Sequence, residues 1–137
     1  MTLAQLQRII DGTDPPAPVA ELIGFELVAA EEGSATFVLE AGEQHWSPPG
    51  TLHGGVLCDV ADAAMGCATV SLLDEGESFA TVELKINFLK PVWTGRLTAV
   101  GTVVKKGRTL CLCDCRVIDE AGSLVAFATS TQMTFRE

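Results

Sequence analysis

The chain has 137 residues, 47% of them apolar, and a formal charge of −9. That is enough apolar material for a folded domain with a real core, which excludes a disordered chain, and the acidic balance argues against general nucleic-acid binding. No apolar run reaches the roughly 18 residues of a membrane span, because Asp59, Asp62 and Asp74 interrupt the longest candidate.

In chain order, residues 1–18 lack a basic stretch followed by an apolar one, so no signal peptide is expected. Leu3, Leu6, Ile9 and Ile10 instead fit one face of a short amphipathic helix. Asp11-Gly12 and Pro15-Pro16 end it, so residues 1–20 read as a helix and a Pro-rich connection. Phe25–Glu31 and Ser34–Glu40 are strand-like runs joined at Glu32-Gly33, a hairpin signal. The stretch AGEQHWSPPGT is polar and rich in turn formers, and reads as a loop. A helix is predicted from about Gly54 to Leu73, stopped by Asp74-Glu75-Gly76.

Four long strands are predicted to close the chain as a meander: Phe79–Leu89, Arg96–Val104, Thr109–Asp119 and Leu124–Phe135. In the first of them, alternation places Ala80, Val82, Leu84, Ile86 and Phe88 on one face and Thr81, Glu83, Lys85 and Asn87 on the other. One long apolar helix against a largely antiparallel sheet is an α+β layout. The helix is apolar nearly all round, so it must be covered on more than one side, by a curled sheet or by a partner subunit.

Five cysteines form no CxxC pair and no Cys/His cluster of zinc-ligand spacing. Cys111, Cys113 and Cys115 alternate along a strand and point to one face, as small core residues of a reduced cytoplasmic protein do. No metal or cofactor is expected. The charges are unevenly spread. Residues 1–84 hold fourteen acids and one base, Arg8, whereas residues 85–116 hold seven of the nine bases and one acid. That basic segment reads either as an anion site or as a solvated face balancing the acidic half.

The stretch GTLHGGVLCDVADAAMG carries the chemistry. Gly54 and Gly55 open the helix without Cβ atoms, where backbone N–H groups are free and the helix dipole is positive. Such a terminus suits an anion, or an oxygen that becomes anionic in a transition state. Asp62 follows Gly54 by eight residues, about 12 Å along the axis at a ~1.5 Å rise. One small reacting group spans that distance poorly, but two antiparallel copies of the helix would bring Asp62 of one to Gly54 of the other. The plainer alternative is that Asp62 bonds to a loop or a neighbouring backbone. Asp59, one turn nearer the helix start, suits a structural role.

The run from about Glu21 to Phe135 resembles the hotdog-fold acyl-CoA thioesterases of the PaaI-like branch. HWSPPGTLHGGVLCDVADAAMG and TVELKINFLKPVWTG carry the resemblance, supported by GRTLCLCDCRVIDEAGSLVAFATST. It implies that residues 1–137 form one hotdog domain, a curled antiparallel sheet around the central helix. Homodimers pair edge to edge and often assemble into homotetramers, with neither nucleic acid nor membrane as partner. It implies that the Gly54 N–H polarises the thioester carbonyl and that Asp62 of the partner subunit is base or nucleophile. His53 would orient the loop, and Thr81 would hold the attacking water. The family usually carries Asn or Gln six residues before the His; here Ser47 stands there, a shorter side chain with one donor. Gly55, Trp46 and Met65 are candidate substrate contacts, with Trp46 equally readable as core. Lys90, Lys105, Lys106 and Arg108 are candidates for the phosphates of CoA. Two rival readings remain at this point, a non-catalytic acyl-CoA-binding hotdog domain and a hotdog hydratase.

Overall fold

The computed structural model describes residues 1–136. Its elements are α1 (Leu3–Ile10), α2 (Pro18–Ile23), β1 (Phe25–Glu31), β2 (Ser34–Ala41), a 3₁₀ turn (Glu43–His45), α3 (Gly54–Val70), β3 (Glu77–Phe88), β4 (Gly95–Lys106), β5 (Leu110–Ile118) and β6 (Leu124–Arg136). The six strands form one antiparallel sheet in the order β1-β2-β4-β5-β6-β3. The sheet curls around α3, which packs on β4, β2 and β5 most heavily. This is the expected hotdog α+β architecture.

The N-terminal helix and the first hairpin fall where the sequence places them. The short helix α2 was not foreseen. Its punctuation is legible, with Pro18 at the first helical position and Gly24 closing the last turn at φ +96°. α3 stops at Val70, three residues before the predicted Leu73. Ser71 ends it by donating to the Ala68 carbonyl and accepting from the Gly33 N–H, which ties the helix end to the β1–β2 turn.

The predicted four-strand meander is corrected. Only β4, β5 and β6 run as a meander, while β3 lies beyond β6 at the sheet edge and β4 is inserted beside β2. Tight turns join β4 to β5 and β5 to β6. The link from β3 to β4 is six residues with Pro91 inside it, unsuited to a tight hairpin. Alternation reports which face a residue takes and says nothing about which strand lies beside it.

The two-face reading of β3 is corrected as well. Pairing with β6 shifts by one residue between Thr81 and Glu83, which leaves Val82 as a bulge. Phe79 therefore shares the inner face with Leu84 and Ile86, and Thr81, although exposed, turns its hydroxyl toward α3, while Ala80 and Val82 are exposed and face away. Cys111, Cys113 and Cys115 point inward as expected and are fully buried. Burial pushes the Cys113 and Cys115 thiols up to about 12.

α3 approaches the sheet closely because its inner face is built from small residues. Ala61, Ala64 and Ala68 are fully buried there. Opposite them stands Gly101 of β4, where a Cβ would collide with the Ala64 carbonyl and sit 2.7 Å from the Met65 nitrogen.

Candidate active site

His53 caps α3. Its Nδ1 accepts from the Gly55 N–H at 2.8 Å, so the neutral ring carries its hydrogen on Nε2. The His53 N–H in turn donates to the His45 carbonyl at 2.8 Å. His45 is buried, with Nδ1 accepting from the Gly42 N–H and Nε2 donating to the Ile23 carbonyl. The loop before α3 is thus locked to β2 and α2.

The capping separates the two glycines. The Gly55 amide is taken by His53, so this residue does not offer a free donor to a substrate as expected. The Gly54 N–H has no hydrogen-bond partner among the described residues. A Cβ on Gly54 would lie 2.7 Å from the Phe88 ring, so this ring roofs the helix start. Phe88 was missed as a site residue, although it opens the Phe-Leu-Lys-Pro segment that ends β3. Gly54, Phe88, Ser47 and Lys90 line one depression of about 470 Å³.

Ser47 reaches this depression with a hydroxyl that is already engaged, donating to the Thr51 carbonyl at 3.1 Å. Lys90 Nζ donates to Asp119 at 2.6 Å. This bond, with backbone N–H donors from Ser123 and Ala121, holds the Asp119 carboxyl below the ordinary carboxylate range. Trp46 is exposed rather than core, and its Nε1–H donates to the Trp93 carbonyl at 2.7 Å. Met65 departs from expectation. It is fully buried in the core and lines neither the Gly54 depression nor the cavity beside Asp62.

Farther along α3, Asp62 is half-buried, and the Thr81 hydroxyl donates to its Oδ1 at 2.9 Å. The bulge at Val82 puts Thr81 there, on the inner face rather than the outer one. The open stripe of α3 comprises Gly55, Cys58, Asp59, Asp62 and Ala63. Asp59 is exposed on it, and partial burial, then the nearby Asp62 charge, raises its carboxyl above the ordinary range. No group of His, Cys, Asp and Glu among the described residues could hold a metal ion.

Lys105, Lys106 and Arg108 are not brought to the Gly54 of their own chain. Gly54 lies at the end of the sheet where β4 begins, since Leu52 bonds to Val92 and Arg96 pairs with Glu40. The twelve residues of β4 then run about 36 Å at ~3.3 Å per residue before Lys106. Lys106 is level instead with Thr81, through the cross-sheet row Lys106, Cys111, Gln132 and Thr81.

A capped helix start with a free N–H, a carboxylate farther along that helix held by a hydroxyl from β3, and a curled six-stranded sheet form a distinctive set. Residues 49–126 match the family model described as Thioesterase superfamily. The chain belongs to that superfamily. It is a thioester hydrolase with the hotdog fold. A Saccharolobus solfataricus protein provisionally named an esterase is 34% identical over 87% of this chain and 79% of its own length. The 1,4-dihydroxy-2-naphthoyl-CoA hydrolase of Listeria monocytogenes is 29% identical over 81% of this chain and 90% of its own. The E. coli PaaI protein from the phenylacetic acid degradation operon superposes with a TM-score of 0.85 at 22% identity, covering 97% of this chain and 95% of that one, and is similar in fold. In this thioester hydrolase no helix among the described residues is long and apolar enough to cross a membrane.

Proposed function

We propose that the protein hydrolyses an acyl-CoA thioester to the free acid and CoA, at a site shared by two subunits. The observation that carries this reading is the Asp62 carboxylate, half-buried on the uncovered stripe of α3 and oriented by the Thr81 hydroxyl. Gly54 and Asp62 are about 12 Å apart along α3 at ~1.5 Å per residue, too far to act on one carbonyl within a subunit. β3 is an edge strand with its outer backbone unpaired, with Val82 exposed on it and Leu89 exposed just past its end, a surface fit to pair with its own copy. Such pairing sets two α3 helices antiparallel and brings the Gly54 of one subunit to the Asp62 of the other.

The chemistry follows. The free Gly54 N–H, at the positive end of the helix dipole, donates to the thioester oxygen and stabilises the negative charge that grows on it. Asp62 takes the proton of a water molecule as that water attacks the carbonyl carbon. The tetrahedral intermediate then collapses, the C–S bond breaks, and the CoA thiolate leaves and is protonated. Thr81 donates to Asp62, and its remaining lone pairs can accept from the water. His53 acts indirectly, by fixing the Gly55 amide and the helix start. The CoA phosphates are assigned to Lys90 beside Gly54 and to Lys105, Lys106 and Arg108 on the subunit that supplies Asp62. The CoA thioester in the name of the Listeria relative supports this substrate class.

Free-thiol release from a panel of acyl-CoAs tests the reading. Asp62→Ala is expected to lower kcat by about 10³-fold, the scale of a lost general base, with the fold intact. Turnover unchanged by the substitution would remove Asp62 from the mechanism. Sedimentation should show at least a dimer, and a stable monomer with full activity would overturn the shared site.

A further inference from the structure

Beneath α3 lies a small polar island in the core. Thr69 of α3, Cys111 and Cys113 of β5, and Ser130 and Gln132 of β6 are all fully buried there. The Thr69 hydroxyl lies 3.5 Å from the Cys111 sulfur and 3.3 Å from that of Cys113. Gln132 Nε2 donates to the Ser130 hydroxyl oxygen at 3.3 Å. Gln132 Oε1 has no hydrogen-bond partner, the one buried side-chain oxygen or nitrogen among the described residues so placed. Turning the carboxamide over would let Ser130 donate to Oε1 and would strand the NH₂ group instead. One end of this amide is thus unpaired either way, which is costly in a core and calls for a cause.

Gln132 is the direct cross-strand partner of Thr81 in the β3–β6 ladder. Opposed residues of such a pair share a face, with Cβ atoms ~4.5–5.5 Å apart. Gln132 therefore stands beside the hydroxyl that holds Asp62. That hydroxyl has a single hydrogen, given to Asp62 Oδ1 at 2.9 Å while the carboxyl is ionised. Once Asp62 has taken a proton, its O–H is a donor and Thr81 Oγ1 accepts. The Thr81 hydrogen then needs a new acceptor. Pairing of two β3 edges takes solvent away from Thr81, and the unpaired Gln132 Oε1 is the acceptor next to it, reached by rotation about the soft terminal torsion of the side chain.

Given the hydrolase reading above, on which this inference rests, we propose that Gln132 is a positioning residue for Asp62, acting through Thr81 as the alternative acceptor for its hydroxyl. No proton passes to Gln132. The proton taken from water stays on Asp62 until it is handed to the leaving thiolate, and the Thr81 hydroxyl then swings back. The oxygen that is unpaired in the resting protein is satisfied midway through the reaction, where its hydrogen bond lowers the barrier rather than the ground state.

Gln132→Met keeps the length of the side chain and removes both ends of the amide. It should lower kcat about five-fold, the rate equivalent of one hydrogen bond, with KM unmoved. Its Tm should hold or rise, because an unpaired buried group is gone. In a Thr81→Val background the same substitution should change kcat less than about two-fold. An unchanged kcat in Gln132→Met, or an equal loss with and without the Thr81 hydroxyl, would overturn the relay. A second arm needs no turnover. Asp62→Asn offers Thr81 an N–H donor in place of a carboxylate, so the Gln132 side-chain amide signals should shift in NMR spectra. In the Thr81→Val background Asp62→Asn should leave them in place. Signals unmoved by Asp62→Asn alone would overturn the relay, and turnover in the wild-type protein would then leave the catalytic reading intact. Signals that move as stated, in a protein without turnover, would keep the relay and remove the acyl-CoA hydrolysis.

Discussion

The two faces of α3 solve opposite problems with similar residues. The inner face carries Ala61, Ala64 and Ala68, which are fully buried, and meets Gly101 of β4 at backbone distance. The outer stripe carries Gly55, Cys58, Asp59, Asp62 and Ala63, and is left partly open. Small residues on the first face remove space, so that helix and sheet touch. On the second they leave space, beside a carboxylate and a free amide. A helix that is apolar nearly all round is thus one face of core and one face of site, and hydrophobicity alone does not distinguish them.

The inner face breaks most readily. Gly101→Ala should destabilise the fold by about 3 kcal/mol, because its Cβ meets helix backbone that cannot move aside. Thermal unfolding should show a Tm fall on the order of 10 °C, and an unchanged Tm would mean that the helix has room to shift. The outer face should respond in rate instead. Thr81→Val removes the hydrogen bond to Asp62 and should cost about ten-fold in kcat, or ~1.4 kcal/mol, with KM and Tm nearly unmoved. A matching loss in KM would reassign Thr81 to substrate binding. Ser47→Ala should change kcat/KM less than about three-fold, since a part-buried turn hydrogen bond contributes ~0.5–1 kcal/mol and this hydroxyl is already spent on Thr51. A larger loss would mean that Ser47 leaves Thr51 when substrate arrives.

The finest effect is electrostatic. Asp59 is raised by burial and by the Asp62 charge, so Asp62→Asn should lower the Asp59 titration midpoint, read by carboxyl NMR. The sign for stability follows from linkage. The folded state holds the Asp59 proton more tightly than the unfolded one. Its contribution is complete below about pH 3.9 and is lost as pH rises through the higher folded value. Asp119 behaves in the opposite sense. Its carboxyl is depressed by Lys90, so its contribution is complete above the ordinary carboxylate range and is lost as pH falls through the lower folded value.

Much of this was legible in the chain. The hairpin at Gly33, the helix start at Gly54 and the inward cysteines of β5 each follow from local patterns of period two or 3.6, and the structure has them there. His53-Gly54-Gly55 and Asp62 announce themselves because glycines at a helix start and an acid on an apolar helix are chemically conspicuous. Thr81 was named by resemblance, yet its face was misread, because one bulged residue at Val82 inverts the alternation. Met65 was misplaced because it lies one turn from Asp62 but faces the sheet, and α3 is apolar on both sides.

The sequence by itself determined the elements, the helix start and the kinds of chemistry present, because those depend on residues a few positions apart. Only the tertiary structure decided that β3 lies beyond β6, that Phe88 roofs Gly54, and that α1 closes a cavity beside Asp62. It also decided which of two adjacent glycines keeps a free amide, since that turns on where one imidazole points. The physical reason is common to all four. They are contacts between segments or side-chain directions, set by register and packing, and neither leaves a period in the sequence.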